Sequence, residues 1–274
     1  MKILLTGGDG FLGSAVLRKL RENYSDVVSV TRRASIAEGY AYCDLAEPAA
    51  VTRLLVETRP ECIVNLAVQA NFGQSVLHSL YPVNSLCPAL FADYCHKHDA
   101  YLVQASGTIV QGFQHLYSTS YTSDIPNTDY GISKLLAERA IAASGCAAGV
   151  LRFGGIFGTD GPEHLGINKA ITQSKKGITP KVVASGTAKR NYIYVEDAAM
   201  MIERCIADQL KGVFMAGGET MSIREMLQSI CDQWLPGQTP ITIAGEESQD
   251  QLIEVSAELG PLRSFRECLQ DCHK

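Results

Sequence analysis

Met1-Lys2-Ile3-Leu4-Leu5-Thr6 is a short apolar run. Gly7-Gly8-Asp9-Gly10-Phe11-Leu12-Gly13 follows at once, and then an amphipathic stretch through Leu17, Leu20 and Arg21. Strand, glycine turn and helix in that order leave few folds open, because together they make the first βα unit of a parallel sheet. Gly7 permits the tight turn. Gly10 lets a pyrophosphate approach the backbone, and Gly13 lets the helix pack on the strand. The N–H groups at the helix N-terminus then face the negative charge. A turn that held no ligand would rarely need three glycines so spaced.

The same rhythm continues to Phe153. Short β-branched runs at residues 27–31, 62–66, 102–106 and 148–153 alternate with helical periodicity, as at 49–58 and 134–143. This predicts an α/β fold: a Rossmann-type doubly wound parallel sheet with helices on both faces. Residues 75–99 read as a helix kinked or divided by Pro82 and Pro88. Residues 111–128 are polar and aperiodic, a pattern typical of functional loops. After Gly158 the pattern changes. Residues 165–175 and 196–207 are helical, and Ser222-Ile223-Arg224-Glu225 is a capping box opening a helix to Trp234. The expected organisation is a cofactor-binding domain over 1–158, rejoined by 187–208, and a smaller, mostly C-terminal substrate lobe over 159–186 and 209–274.

Tyr130-Gly131-Ile132-Ser133-Lys134 places a phenol and an ammonium four residues apart, on one face of a helix. A phenol titrates near ~10. A fixed positive charge beside it favours the phenolate and pulls that value down. Tyr130 is then expected to exchange a proton with a sugar or alcohol hydroxyl near neutral pH. Arg32 and Arg33 follow the second strand, where no acid stands to take a ribose diol. Two guanidiniums suit a 2′-phosphate, so NADP is the expected cofactor and NAD the alternative.

Composition excludes several classes. A net charge of −5 with no basic block gives no support to nucleic-acid binding. No apolar run approaches the ~20 residues of a membrane span, and no signal-peptide pattern precedes the first strand. Nine cysteines without a Cys-x-x-Cys pair fit a reducing cytoplasm. Cys268, Cys272 and His273 read as a frayed helix end with incidental thiols, so no metal site is expected.

With both motifs in hand, the chain resembles the extended short-chain dehydrogenase/reductase family of nucleotide-sugar epimerases, dehydratases and ketoreductases. Residues 6–13 match its glycine motif, which implies Gly7, Gly10, Phe11, Leu12 and Gly13 at the cofactor. Asp44-Leu45 resembles its adenine-contacting pair, and Asn65-Leu66-Ala67 its strand-end loop beside the cofactor, with Leu66 and Ala67 in contact. Residues 130–134 with Ala137-Glu138 match the catalytic helix. Residues 151–158 and 190–197 resemble the strand and loop that follow and the segment returning from the substrate lobe. The stretch from 59 to 106 is similar to the dTDP-4-dehydrorhamnose reductase branch.

The resemblance implies Tyr130 as acid/base and Lys134 as its partner on the nicotinamide ribose. It implies a third hydroxyl roughly 24 residues before Tyr130, which is Ser106, with Thr108 the alternative. Counting back from Gly112 instead falls on Gly107, which has no side chain. Arg190 is suited to the diphosphate of a sugar nucleotide, and His164 stands where substrate-lobe residues face the sugar. A homodimer is also implied. Two departures matter. The dehydratases carry an Asp-Glu pair where this chain has Gly107-Thr108, which argues against loss of water. Gly155 replaces an asparagine common in the sugar-nucleotide branch. The expected activity is reduction of a keto carbon on a nucleotide-activated sugar by NADPH, with Tyr130 donating the proton. Epimerisation with a retained cofactor is the alternative. A non-catalytic cofactor-sensing protein would have no need of the Tyr-Lys pair.

Overall fold

Seven strands of the computed structural model, which describes residues 1–32, 39–70 and 77–273, share one sheet. They are β1 (Lys2–Thr6), β2 (Asp26–Thr31), β3 (Tyr40–Tyr42), β4 (Cys62–Asn65), β5 (Tyr101–Gly107), β6 (Ala148–Phe153) and β7 (Gly212–Ala216). The order across the sheet is β3-β2-β1-β4-β5-β6-β7, with every pair parallel. Ile3, Leu4 and Leu5 of β1 are wholly buried. Such a continuous apolar strand needs cover on both faces. The sheet grows outward from β1 in both directions, so a crevice opens at the strand C-termini where the order reverses, between β1 and β4.

Alternation along each strand divides the core in two. Ile3, Leu5, Val64 and Val103 face α1 (Phe11–Asn23), which packs on one side of the sheet. Leu4, Ile63 and Leu102 face the other side, where α2 (Pro48–Thr58) lies. Pro82 and Pro88 divide the next helical stretch, although residues 75 and 76 fall outside the described residues. α3 (Leu77–Tyr81) passes through a π-helical turn at Pro82–Leu86 into α4 (Cys87–His98). Pro88 sits in the first turn of α4, where a missing N–H costs little. α5 (Asp129–Ser144) joins α4 on the second face.

Beyond β6 the chain builds α6 (Gly166–Lys175) away from the sheet and returns through α7 (Val195–Ala207), which packs beside α1. Ser222 and Glu225 form the expected capping box of α8 (Ile223–Trp234). α6 and α8 pack together, flanked by short strand pairs such as Lys181–Val183 with Ile241–Ile243 and Lys189–Arg190 with Met221–Ser222.

Two expectations need correction here. Residues 212–216, assigned to the smaller lobe, form the edge strand β7, because Val213 and Met215 continue the parallel ladder of β6. The C-terminus is not frayed. α9 (Phe265–His273) buries Cys268 and Cys272 in the core that also holds Phe157 and Ile202. Among the described residues no helix is long and apolar enough to cross a membrane.

Candidate active site

The glycine turn is built for close approach. Gly7 takes φ +71°, and the Gly10 N–H donates to its carbonyl at 2.9 Å. A Cβ on Gly13 would lie 1.9 Å from that carbonyl oxygen, so no side chain fits between β1 and α1. A Cβ on Gly10 would meet only the same oxygen, at 3.2 Å, which leaves its outer side open. Such a bare backbone turn at a helix N-terminus is what close approach of a pyrophosphate requires. A cleft of about 660 Å³ runs on from the turn, lined by Gly7, Gly10, Arg32, Asp44, Leu45, Leu66 and Ala67. Phe11 and Leu12 are partly buried, their side chains packed against the core. Arg33 lies outside the described residues. Arg32 is exposed at the cleft.

An acid does reach the end of β2, which the sequence did not disclose. It comes from the glycine turn: the Thr31 hydroxyl donates to Asp9 Oδ2 at 2.7 Å, and both residues line the cleft. The signal was Asp9 between Gly8 and Gly10, which strand-end counting overlooks.

A buried polar ladder crosses the strand ends. The Ala67 N–H donates to Thr6 Oγ1, which donates to Asn65 Oδ1 at 2.5 Å. Asn65 Nδ2 donates to Gln104 Oε1 at 2.8 Å, and Gln104 Nε2 to the Ala105 carbonyl at 2.7 Å. Lys134 Nζ donates to that same carbonyl at 2.6 Å. The ladder therefore ties the cofactor turn to α5.

Thr128 caps α5, accepting from the Gly131 N–H at 3.0 Å, so Tyr130 stands in the first turn. Tyr130 and Lys134 share a helix face as expected, but the expected electrostatics do not hold. Burial pushes the Tyr130 phenol up to about 12. Burial likewise pulls Lys134 down to about 8, opposed by Glu138. Desolvation outweighs the attraction on which the sequence reading relied.

The two candidates for the third hydroxyl are placed differently. Ser106 is 7% exposed and donates to Glu138 Oε1 at 2.5 Å. Arg152 grips the same carboxylate through Nε and Nη2. Ser106 is thus turned into the protein. Thr108 opens a 3₁₀ turn after β5 and lines a cleft with Gly155, Arg190 and Tyr192. Arg190 is held there by the carbonyls of Lys189 and Gln249, each at 2.8 Å. His164 is exposed, in the loop that precedes α6, and is not among the residues lining this cleft. Gly155 has a physical reason: a Cβ would come within 2.4 Å of the Tyr192 ring, which fills the space of a side chain.

Residues 3–217 match the NAD dependent epimerase/dehydratase family. The chain belongs to that family. Its fold is Rossmann-type. A probable dTDP-4,6-dihydroxy-2-methyloxan-3-one 4-ketoreductase of Streptomyces antibioticus is 30% identical over 190 residues, covering 67% of this chain and 60% of that protein. The 2′-dehydrokanamycin reductase of Streptomyces kanamyceticus is 26% identical over 267 residues, covering 92% and 72%. The chain thus spans under two thirds of the length of the first of these relatives. Among solved structures, UDP-N-acetylglucosamine 4-epimerase from Bacillus cereus superposes with a TM-score of 0.83 at 22% identity, covering 100% of this chain and 98% of that one. A dTDP-4-dehydrorhamnose reductase from Bacillus anthracis in complex with NADP gives 0.81 at 19%, covering 100% and 99%. At these identities the likeness to the family's solved members is one of fold.

Proposed function

We propose that the enzyme reduces a keto group on a nucleotide-activated sugar, with NADPH as reductant and Tyr130 as proton donor. Tyr130 carries the reading. It is a half-buried phenol in the first turn of α5, pushed up to about 12 by burial. Among the described residues its hydroxyl has no partner. Such a phenol is protonated at neutral pH and available to an oxygen that is gaining charge. Two relatives named as reductases support the same direction.

NADPH, when bound, supplies the hydride. As the carbonyl carbon takes it and the π bond opens, Tyr130 gives its proton to the oxygen and regains one from solvent. Thr108 hydrogen-bonds the same oxygen. Lys134, fixed on Ala105, keeps a positive charge beneath the phenol as it becomes a phenolate. The smaller lobe binds the nucleotide. An apolar recess of about 510 Å³ lies between α6 and α8 and meets the Thr108 cleft at Tyr192. Arg190, beside Tyr192, is placed for the diphosphate.

The test offers purified protein an NDP-4-keto-6-deoxyhexose with NADPH and follows the reduced-nicotinamide absorbance. Stoichiometric loss of NADPH with formation of one alcohol is expected. Interconversion of two sugar epimers without net loss of NADPH overturns the reading in favour of an epimerase.

A further inference from the structure

Three ionised groups lie buried behind the site. Lys134, Glu138 and Arg152 are 4%, 7% and 3% exposed. Buried charge is costly unless its partners are complete. For Glu138 they are. Oε1 accepts from Ser106 at 2.5 Å and from Arg152 Nε at 3.1 Å, and Oε2 accepts from Arg152 Nη2 at 2.6 Å. Arg152 Nη1 pairs in turn with Asp124 Oδ1 at 2.8 Å. Nothing in hydride or proton transfer to a sugar calls for this carboxylate. It stands one helical turn beyond Lys134 on α5, as Tyr130 stands one turn before it.

We propose that Glu138, clamped by Ser106 and Arg152, is a positioning residue that keeps Lys134 charged and held against the end of β5. The clamp matters because the ammonium has little else. Among the described residues its one hydrogen bond is to a neutral carbonyl, that of Ala105. Around it, β5 contributes Ser106 and no charge, and the 3₁₀ turn 108–111 contributes no titratable group. β6 contributes Arg152, and the loop before α5 contributes Asp124, which pairs with Arg152. α3 and α4, also packed on α5, carry His78, Tyr81, Asp93, His96, Lys97 and His98, all exposed. They also carry half-buried Tyr94 and the buried thiols Cys87 and Cys95, whose pKa values burial raises. Glu138 is thus the carboxylate whose field reaches Lys134.

The part that concerns turnover rests on the proposed function; the charge of Lys134 does not, and is measured directly. Lys134 is followed by ¹³Cε NMR in the sugar-free protein and assigned by the signal lost in Lys134→Met. In Glu138→Gln its midpoint should fall by about one unit or more, the usual effect of an opposite charge at close range. At pH 8 that is about a fivefold loss of the charged form. Glu138→Asp, which keeps the charge on a shorter arm, should give a smaller fall and serves if the first variant does not fold. An unchanged midpoint in a folded variant overturns the proposal. In the reductase assay the alkaline limb of kcat should move down with the midpoint, and lower pH should restore Glu138→Gln. A shifted midpoint with no reductase activity in the parent keeps the clamp and rejects the proposed reaction.

Discussion

Lys134 Nζ lies 2.6 Å from the carbonyl oxygen of Ala105, and Gln104 Nε2 reaches that oxygen from the other side at 2.7 Å. The lysine is therefore moored to the sheet, not to Tyr130. An ammonium fixed in this way does not make the resting phenol a base. It waits beneath a phenol that burial keeps protonated, and its charge becomes useful only when the proton has left.

Tyr130→Phe keeps the ring and removes the proton. Turnover should fall by roughly 10²–10⁴-fold, the range typical of general acid catalysis. NADPH binding by calorimetry should change little. Activity within a few-fold of the parent would remove Tyr130 from the proposed role.

The two candidate hydroxyls should separate cleanly. Thr108 lines the cleft, whereas Ser106 is spent on Glu138. Thr108→Ala should lower kcat with little effect on Tm. Ser106→Ala leaves a hydrogen bond of Glu138 unmade and should cost about 1.5–3 kcal/mol of stability, the usual contribution of such a bond to a charged group. Denaturant melts and initial rates on the same preparations decide this. The reverse pattern returns the substrate role to Ser106.

Lys134→Met should stabilise the protein by roughly 1–3 kcal/mol while abolishing most turnover, since a buried cation is exchanged for an apolar chain of similar length. The pH dependence is specific. Folded Lys134 loses its proton near 8, and its ordinary value is 10.5. Between these the unfolded chain binds more protons, so this residue makes stability rise with pH across that window. The rise should be missing in Lys134→Met. Identical pH profiles of stability for the two proteins would show that burial does not penalise the ammonium.

The βα unit and the parallel sheet were legible because Gly13 and the alternating runs admit few alternatives; a side chain at Gly13 collides with Gly7 at 1.9 Å. What stayed hidden depended on which way a side chain turns. Ser106 and Thr108 sit two residues apart near the end of one strand, and nothing in their spacing shows that buried Glu138 captures the first. Tyr130 and Lys134 were placed correctly on one helix face, but spacing carries no information on desolvation, which dominates both. Edge strand β7 was missed because α6, α7 and several short strands part it from β6 by some sixty residues. Asp9 was read only as a turn residue, although its carboxylate is tied to Thr31 at the far strand end.

That last contact sharpens the expectation for cofactor choice. Arg32 and Asp9 line the same cleft and act on a 2′-phosphate with opposite sign. A guanidinium attracts it, while a carboxylate repels it and instead accepts from a ribose diol. Arg32→Ala should weaken NADPH by about 1.5–3 kcal/mol, the contribution of a charge-assisted contact, and leave NADH within a few-fold. Asp9→Asn should shift the balance the other way, tightening NADPH relative to NADH, because the repulsion is removed while Thr31 keeps an acceptor at Oδ. Calorimetry with both cofactors on both variants measures the two effects. Equal weakening of NADPH and NADH by Arg32→Ala would place the arginine outside the 2′-phosphate site, and a ratio unmoved by Asp9→Asn would show that the Thr31 contact only braces the turn.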